Sequence, residues 1–130
     1  TLNGEASGNL ATDYLAAIDG VGREDLFYGY ENDDSPTSTN ETAEMLPFMT
    51  LAENNAKKVM VTDYCSTHSY MDDSYQRSFE NNFISFAADR RELDNVPEYP
   101  TPPFQANSSD IDSLSQAKNF LYLINPQSFT

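Results

Sequence analysis

The chain reads as an α/β protein with a parallel sheet, and three observations predict this. Apolar, β-branched and aromatic runs at 20–30, 58–64 and 83–88 have the length and content of strands. The stretches between them carry helical spacing with cap signals at their ends. Strands separated by single helices need crossover connections, which give parallel pairs where hairpins would give antiparallel ones.

Taken in order, Leu2-Asn3-Gly4-Glu5 looks like the end of an extended segment followed by a turn. Asn9 then caps a short helix whose Leu10, Tyr14, Leu15 and Ile18 share one face, closed by Asp19-Gly20. Gly20 to Tyr30 follows as a strand in which Gly20 and Gly22 let the backbone pass close to something else. Residues 31–40 are too rich in turn formers to be anything but loop, a candidate lid. Ser38, with Glu41 three residues on, resembles a capping box that opens a helix through Met45, Leu46, Phe48, Met49 and Ala52 to about Asn55, with Pro47 as a possible kink.

Lys58 to Tyr64 is the clearest strand. Asp72 or Asp73 caps a helix carrying Tyr75 and Phe79, stopped by Asn81-Asn82, and Phe83 to Ala88 is a further strand. The prolines at 97, 100, 102 and 103 make 96–108 a linker of polyproline type. A short helix over Ser109 to Ala117 and a strand over Asn119 to Pro126 complete the chain.

The 130 residues, 38% hydrophobic and 12% aromatic, suffice for one modest domain. A net charge of −14 and a pI near 4.1 argue against nucleic acid or an anionic membrane as partner and favour a cationic one. No run reaches the roughly 18–20 apolar residues of a membrane span, and no signal peptide opens the chain, which starts at Thr1 and so reads as processed or as a piece of something longer. Cys65 is the single cysteine. Its neighbour His68 suggests a thiol nucleophile only weakly, because a Cys-His pair needs an oriented imidazole and an oxyanion hole; a buried thiol and an exposed histidine are the plainer expectation. No cofactor is expected. Asp33, Asp34, Asp72 and Asp73 lack the spacing of a calcium loop, so no metal is expected either.

In parallel α/β folds ligands sit beyond the carboxyl ends of the strands. That rule selects Asn3, Glu24, Asp63, Tyr64 and Asp89, with Tyr28 and Tyr30 close by. Carboxylates that accept from hydroxyls, beside aromatic rings that cover the apolar side of a sugar, suit a polyhydroxyl ligand. Plainer roles exist for each: a loop-bracing or helix-capping carboxylate for Asp63, an ion pair with Arg90 or Arg91 for Asp89, and a solvated Arg-Glu-Asp turn for Glu24.

Three segments, Leu2-Asn3-Gly4-Glu5, Ile18 to Tyr28 and Lys57 to Tyr64, resemble successive strand regions of the endo-α-1,4-polygalactosaminidase family of glycoside hydrolases. The resemblance spans about residues 1–95 and implies a secreted (β/α)8 barrel, so an extracellular or periplasmic location. A full barrel takes about 250 residues, so this chain would supply about the last four βα units plus one further strand, since Ala117 to Pro126 resembles the first barrel strand. The implied division is a half-barrel over 1–95, a linker over 96–108 and the start of another copy, or a permuted segment, over 109–130.

In that family the glutamate matching Glu24 is a catalytic carboxylate, the acid/base. The second, an aspartate after a leucine at the end of the fourth strand, has no counterpart before Thr1. Glycoside hydrolysis ordinarily needs both. The implied activity is hydrolysis of an α-1,4-linked galactosamine-type polysaccharide, with catalytic Glu24 and with Asn3, Tyr28, Asp63, Tyr64 and Asp89 binding substrate. The implied partners are the amino-sugar polymer and the other half of the barrel, from the same precursor or another chain, and the isolated chain is expected to be inactive. The rival expectation is a carbohydrate-binding or structural half-barrel without catalysis.

Overall fold

The computed structural model describes residues 4–99 and 107–125. It runs α1 (Thr12–Ala16), β1 (Gly20–Glu24), α2 (Thr39–Asn54), β2 (Lys58–Tyr64), α3 (His68–Glu80), β3 (Ile84–Ala88) and a 3₁₀ turn at Leu114–Gln116. The strands form one parallel sheet in the order β1-β2-β3, with Glu24 opposite Thr62 and Thr62 opposite Phe86. Because the two connections β1-α2-β2 and β2-α3-β3 join neighbours, each helix packs on the strands it links.

Side-chain alternation then divides the sheet into two unlike faces. Val59, Val61 and Ala87 join Met45 and Ala52 of α2 and Met71 and Tyr75 of α3 in the main core. The opposite face carries Tyr64, Phe86 and Ala88, which pack with Leu93 and Phe120. Phe120 comes from the C-terminal segment, which lies along β3: its N–H donates to the Ser85 carbonyl (3.1 Å), and its ring meets Phe86 edge-on at 6.0 Å. On that face Gly22 and Glu24 of β1 are exposed and Met60 of β2 is half-buried, while Thr62 is buried.

Local chemistry explains the element ends. Ser38 Oγ accepts from the Glu41 N–H at 3.3 Å and starts α2. Pro47 sits inside α2 at a cost in one backbone bond; it and Ala43, whose carbonyl loses its helical donor, are both exposed to water. Asn82, at φ 60°, ends α3 in the left-handed conformation that asparagine tolerates.

The barrel expectation is corrected by this architecture. Among the described residues the chain is a small α/β domain of three parallel strands and three α-helices, and it does not supply four βα units of a (β/α)8 barrel plus a strand. The strand expected at Leu2-Asn3 lies outside the described residues, apart from Gly4 and Glu5, which belong to no element. The one expected at 119–126 makes a single parallel bridge, Asn119 to Ser85, in its described part, and then departs: the Ile124 N–H donates to the Leu93 carbonyl, off the sheet.

Other boundaries moved as well: the first helix is preceded by Ala11, not capped by Asn9, and spans only Thr12–Ala16, and the helix expected over Ser109 to Ala117 is a single 3₁₀ turn at Leu114–Gln116. The strand expected over Gly20 to Tyr30 stops at Glu24 because Asp25 has φ 60°, which turns Leu26, Phe27 and Tyr28 under the helices. The loop over 31–38 is no lid. Asp34 accepts from the Ser66 N–H (2.8 Å), the Thr67 N–H (2.7 Å) and the Thr67 hydroxyl (2.7 Å), which pins it to the start of α3. α3 therefore begins at His68, one turn before the expected aspartate caps.

Candidate functional site

Glu24 is the last residue of β1, and its side chain stands on the open face of the sheet. There it borders a cleft of about 710 Å³. Gly22, Met60 and Thr62 supply the sheet side, Phe120 and Tyr122 the opposing wall, and Glu24 and Asp25 the acidic end; Arg23 also borders the cleft, but its guanidinium lies on the other face against Met45 of α2. Phe120 and Tyr122 reach the same cleft because they are two residues apart in an extended segment, the spacing that returns a side chain to one face.

The carboxylate is oriented from beneath. The Tyr64 hydroxyl donates to Glu24 Oε1 at 2.6 Å, and no described residue occupies Oε2. Burial, and then the hydrogen bond to Glu24, push the Tyr64 phenol well above its ordinary range, so it stays a donor at any physiological pH. The Tyr64 ring is covered in turn by the Arg91 guanidinium, 4.0 Å from its centroid. Arg91 donates to Asp25 Oδ1 (2.9 Å), to Asp33 Oδ1 (2.6 Å) and to the Gly29 carbonyl (3.1 Å). Gly29 must be glycine: its φ is 112°, and an added Cβ would fall 2.5 Å from Asp25 Oδ1.

Arg91 thus joins loop 29–38 to the end of β1 and fixes Tyr64. Its replacement by methionine is expected to lower stability by about 1–2 kcal/mol, a loss that shrinks in high salt because the side chain is partly exposed. Urea denaturation at low and high ionic strength measures both.

Of the expected site residues, the structure brings Glu24 and Tyr64 together and places Tyr28, Asp63 and Asp89 elsewhere. Asn3 lies outside the described residues. Asp63 is fully buried on the helix side of β2, where Oδ1 accepts from the Phe27 N–H (3.1 Å) and Oδ2 from the Ser74 hydroxyl (2.7 Å); it braces the turn after β1. Tyr28 is carried to that same side by the Asp25 turn, stacks on Tyr70 at 5.1 Å and donates to Asp73 Oδ2 at 2.7 Å. Asp89 pairs with neither Arg90 nor Arg91: Arg90 binds Asp94, and Asp89 accepts from Asn95 Nδ2 at 3.0 Å beside a separate pocket that includes His68.

Cys65 is buried, which pushes its thiol far up, and His68 is exposed. Among the described residues no three histidine, cysteine, aspartate or glutamate side chains gather to hold a metal, and no helix is long and apolar enough to cross a membrane. Sequence reasoning missed Phe120 and Tyr122, and read Gly22 only as a place where the backbone passes close to something else. The alternation running back from Glu24 marks Gly22 as sharing its face, and the 120/122 alternation was visible as well, but nothing in the sequence joins those two stretches.

The fold and site define a small α/β domain with one oriented carboxylate in an aromatic-walled cleft. No known protein family, no curated protein and no solved structure matches the chain.

Proposed function

We propose that the cleft binds a chain of amino sugars outside the cytoplasm and that Glu24 is the carboxyl group that meets the glycosidic bond. One observation carries this reading. Glu24 ends a parallel strand in an open cleft with one oxygen held by Tyr64 at 2.6 Å, across from Phe120 and Tyr122. A carboxylate so held keeps its second oxygen for a ligand hydroxyl or ammonium, while aromatic rings cover the apolar face of a pyranose. The net charge of −14 draws a polymer carrying free amines.

Hydrolysis takes two carboxyl groups, one to protonate the leaving oxygen and one to act as nucleophile or base. Asp25, the other carboxylate at this cleft, is engaged by Arg91. The isolated chain accordingly binds without turnover. Cleavage of an α-1,4-linked galactosamine polymer, with Glu24 as acid/base, requires a second carboxylate brought across the cleft by another chain or another part of the polypeptide. Where none is supplied, the same cleft is a binding module, a reading favoured by Glu24's being the one carboxylate there without an ion pair among the described residues.

Calorimetric titration with α-1,4-linked galactosamine oligomers tests the proposal. Wild type is expected to bind, Glu24→Gln at least tenfold more weakly, and the fully N-acetylated oligomer more weakly than the free amine. Equal affinity of Glu24→Gln and wild type would sink the assignment, and so would turnover by the isolated chain that survives this substitution.

A further inference from the structure

The chain has five glycines, and the fold demands four of them. Gly4, Gly8 and Gly29 have φ of 80°, 102° and 112°, in the region that favours glycine. At Gly20 an added Cβ would lie 2.6 Å from the Lys58 carbonyl oxygen, so the approach of β1 to β2 excludes a side chain there. Gly22 is different. Its φ is not in the left-handed region, and an added Cβ would meet nothing within 4 Å.

A glycine inside a strand weakens it, by backbone entropy and by the lost side-chain packing. Gly22 lies in the middle of β1, opposite Met60, where a β-branched residue would serve the strand better. The direction in which its side chain would point is the cleft that it lines two residues before Glu24.

We infer that Gly22 is the seat of the ligand: a pyranose ring lies flat on the bare backbone of β1 there, with its polar edge at Glu24 and its other face toward Phe120 and Tyr122. This rests on the sugar reading above and adds the residue that sets what fits. Any side chain at position 22 occupies the space of the ring, so the position determines specificity without touching the chemistry.

The test uses Gly22→Val and Gly22→Ala in the full chain, with a galactosamine tetrasaccharide as probe, thermal unfolding for stability and calorimetry for affinity. Both variants are expected to melt at or above the wild-type temperature. Valine should weaken binding at least tenfold and alanine less. In the wild type, titration should shift the Gly22 and Met60 amide resonances.

Unchanged affinity of Gly22→Val overturns the inference, and so does a melting temperature below wild type, because the fold would then require the glycine. Weakened binding by Gly22→Val alongside wild-type affinity of Glu24→Gln leaves the seat standing and removes the role given to Glu24. Failure of the wild type to bind either the free or the N-acetylated tetrasaccharide removes both.

Discussion

Phe27→Ala is expected to cost about 3–5 kcal/mol, a large part of what holds a domain of this size together. The ring is 1% exposed within the main core, and Arg77 lies over it at 4.2 Å from the centroid. Truncation removes the buried area, leaves a cavity under α3 and strips Arg77 of the aromatic face it covers. Phe27→Leu, which keeps most of the volume, should cost less than half as much. Urea denaturation of both variants measures the difference, and a loss below about 1 kcal/mol for alanine would show that the turn after β1 collapses onto the vacancy.

At pH 4, Asp63→Ala should cost about 3 kcal/mol, because it leaves the Phe27 N–H and the Ser74 hydroxyl buried without their acceptor. Its pH dependence separates the charge from the hydrogen bonds. Burial raises the Asp63 carboxyl from 3.8 to about 6, outweighing the lowering by Ser74 and the Phe27 amide. The folded state therefore binds this proton more tightly than the unfolded chain. The stability this group contributes is fully present below pH 3.8 and is lost as pH rises through about 6, by on the order of 2–3 kcal/mol.

Asp63→Asn can keep the acceptor toward Phe27 and turn the Ser74 hydroxyl into an acceptor, so it should be milder than alanine and flat over this range. Plotted against pH, the advantage of wild type over Asp63→Asn is expected to fall between pH 4 and 7. An advantage that rises over that interval would mean the carboxyl is instead held below its ordinary range.

How much of this was legible in the sequence differs by segment. β2 was found residue for residue at Lys58–Tyr64, because an apolar run bounded by Lys57 and Cys65 offers no competing arrangement. The Ser38 cap of α2 was equally plain, since Ser38 and Glu41 lie within one turn, but the capping box is only half made: the Ser38 N–H donates to Glu31, not to Glu41. Errors arose where a single residue or a distant partner decides. Asp25 turns the backbone after Glu24, and aspartate gives little warning of a positive φ, so Tyr28 was expected at the site and lies behind the sheet. Asp63 ends an apolar strand much as a site residue would; only the positions of Phe27 and Ser74 show it to be a brace. The C-terminal segment alternates like a strand, but a strand exists only where a neighbour continues the ladder, and Ser85 offers Asn119 one bridge.

The segment that walls the cleft is fastened at its two ends, through Phe120 to β3 and through Ile124 to Leu93, while Tyr122 between them is 41% exposed. Glu24 and Tyr64, by contrast, belong to the paired strands themselves. An exchange at 122 can thus reshape that wall of the cleft without drawing on the stability of the framework. One wall of the cleft is thus free to drift in evolution, while the paired strands that make the other are kept.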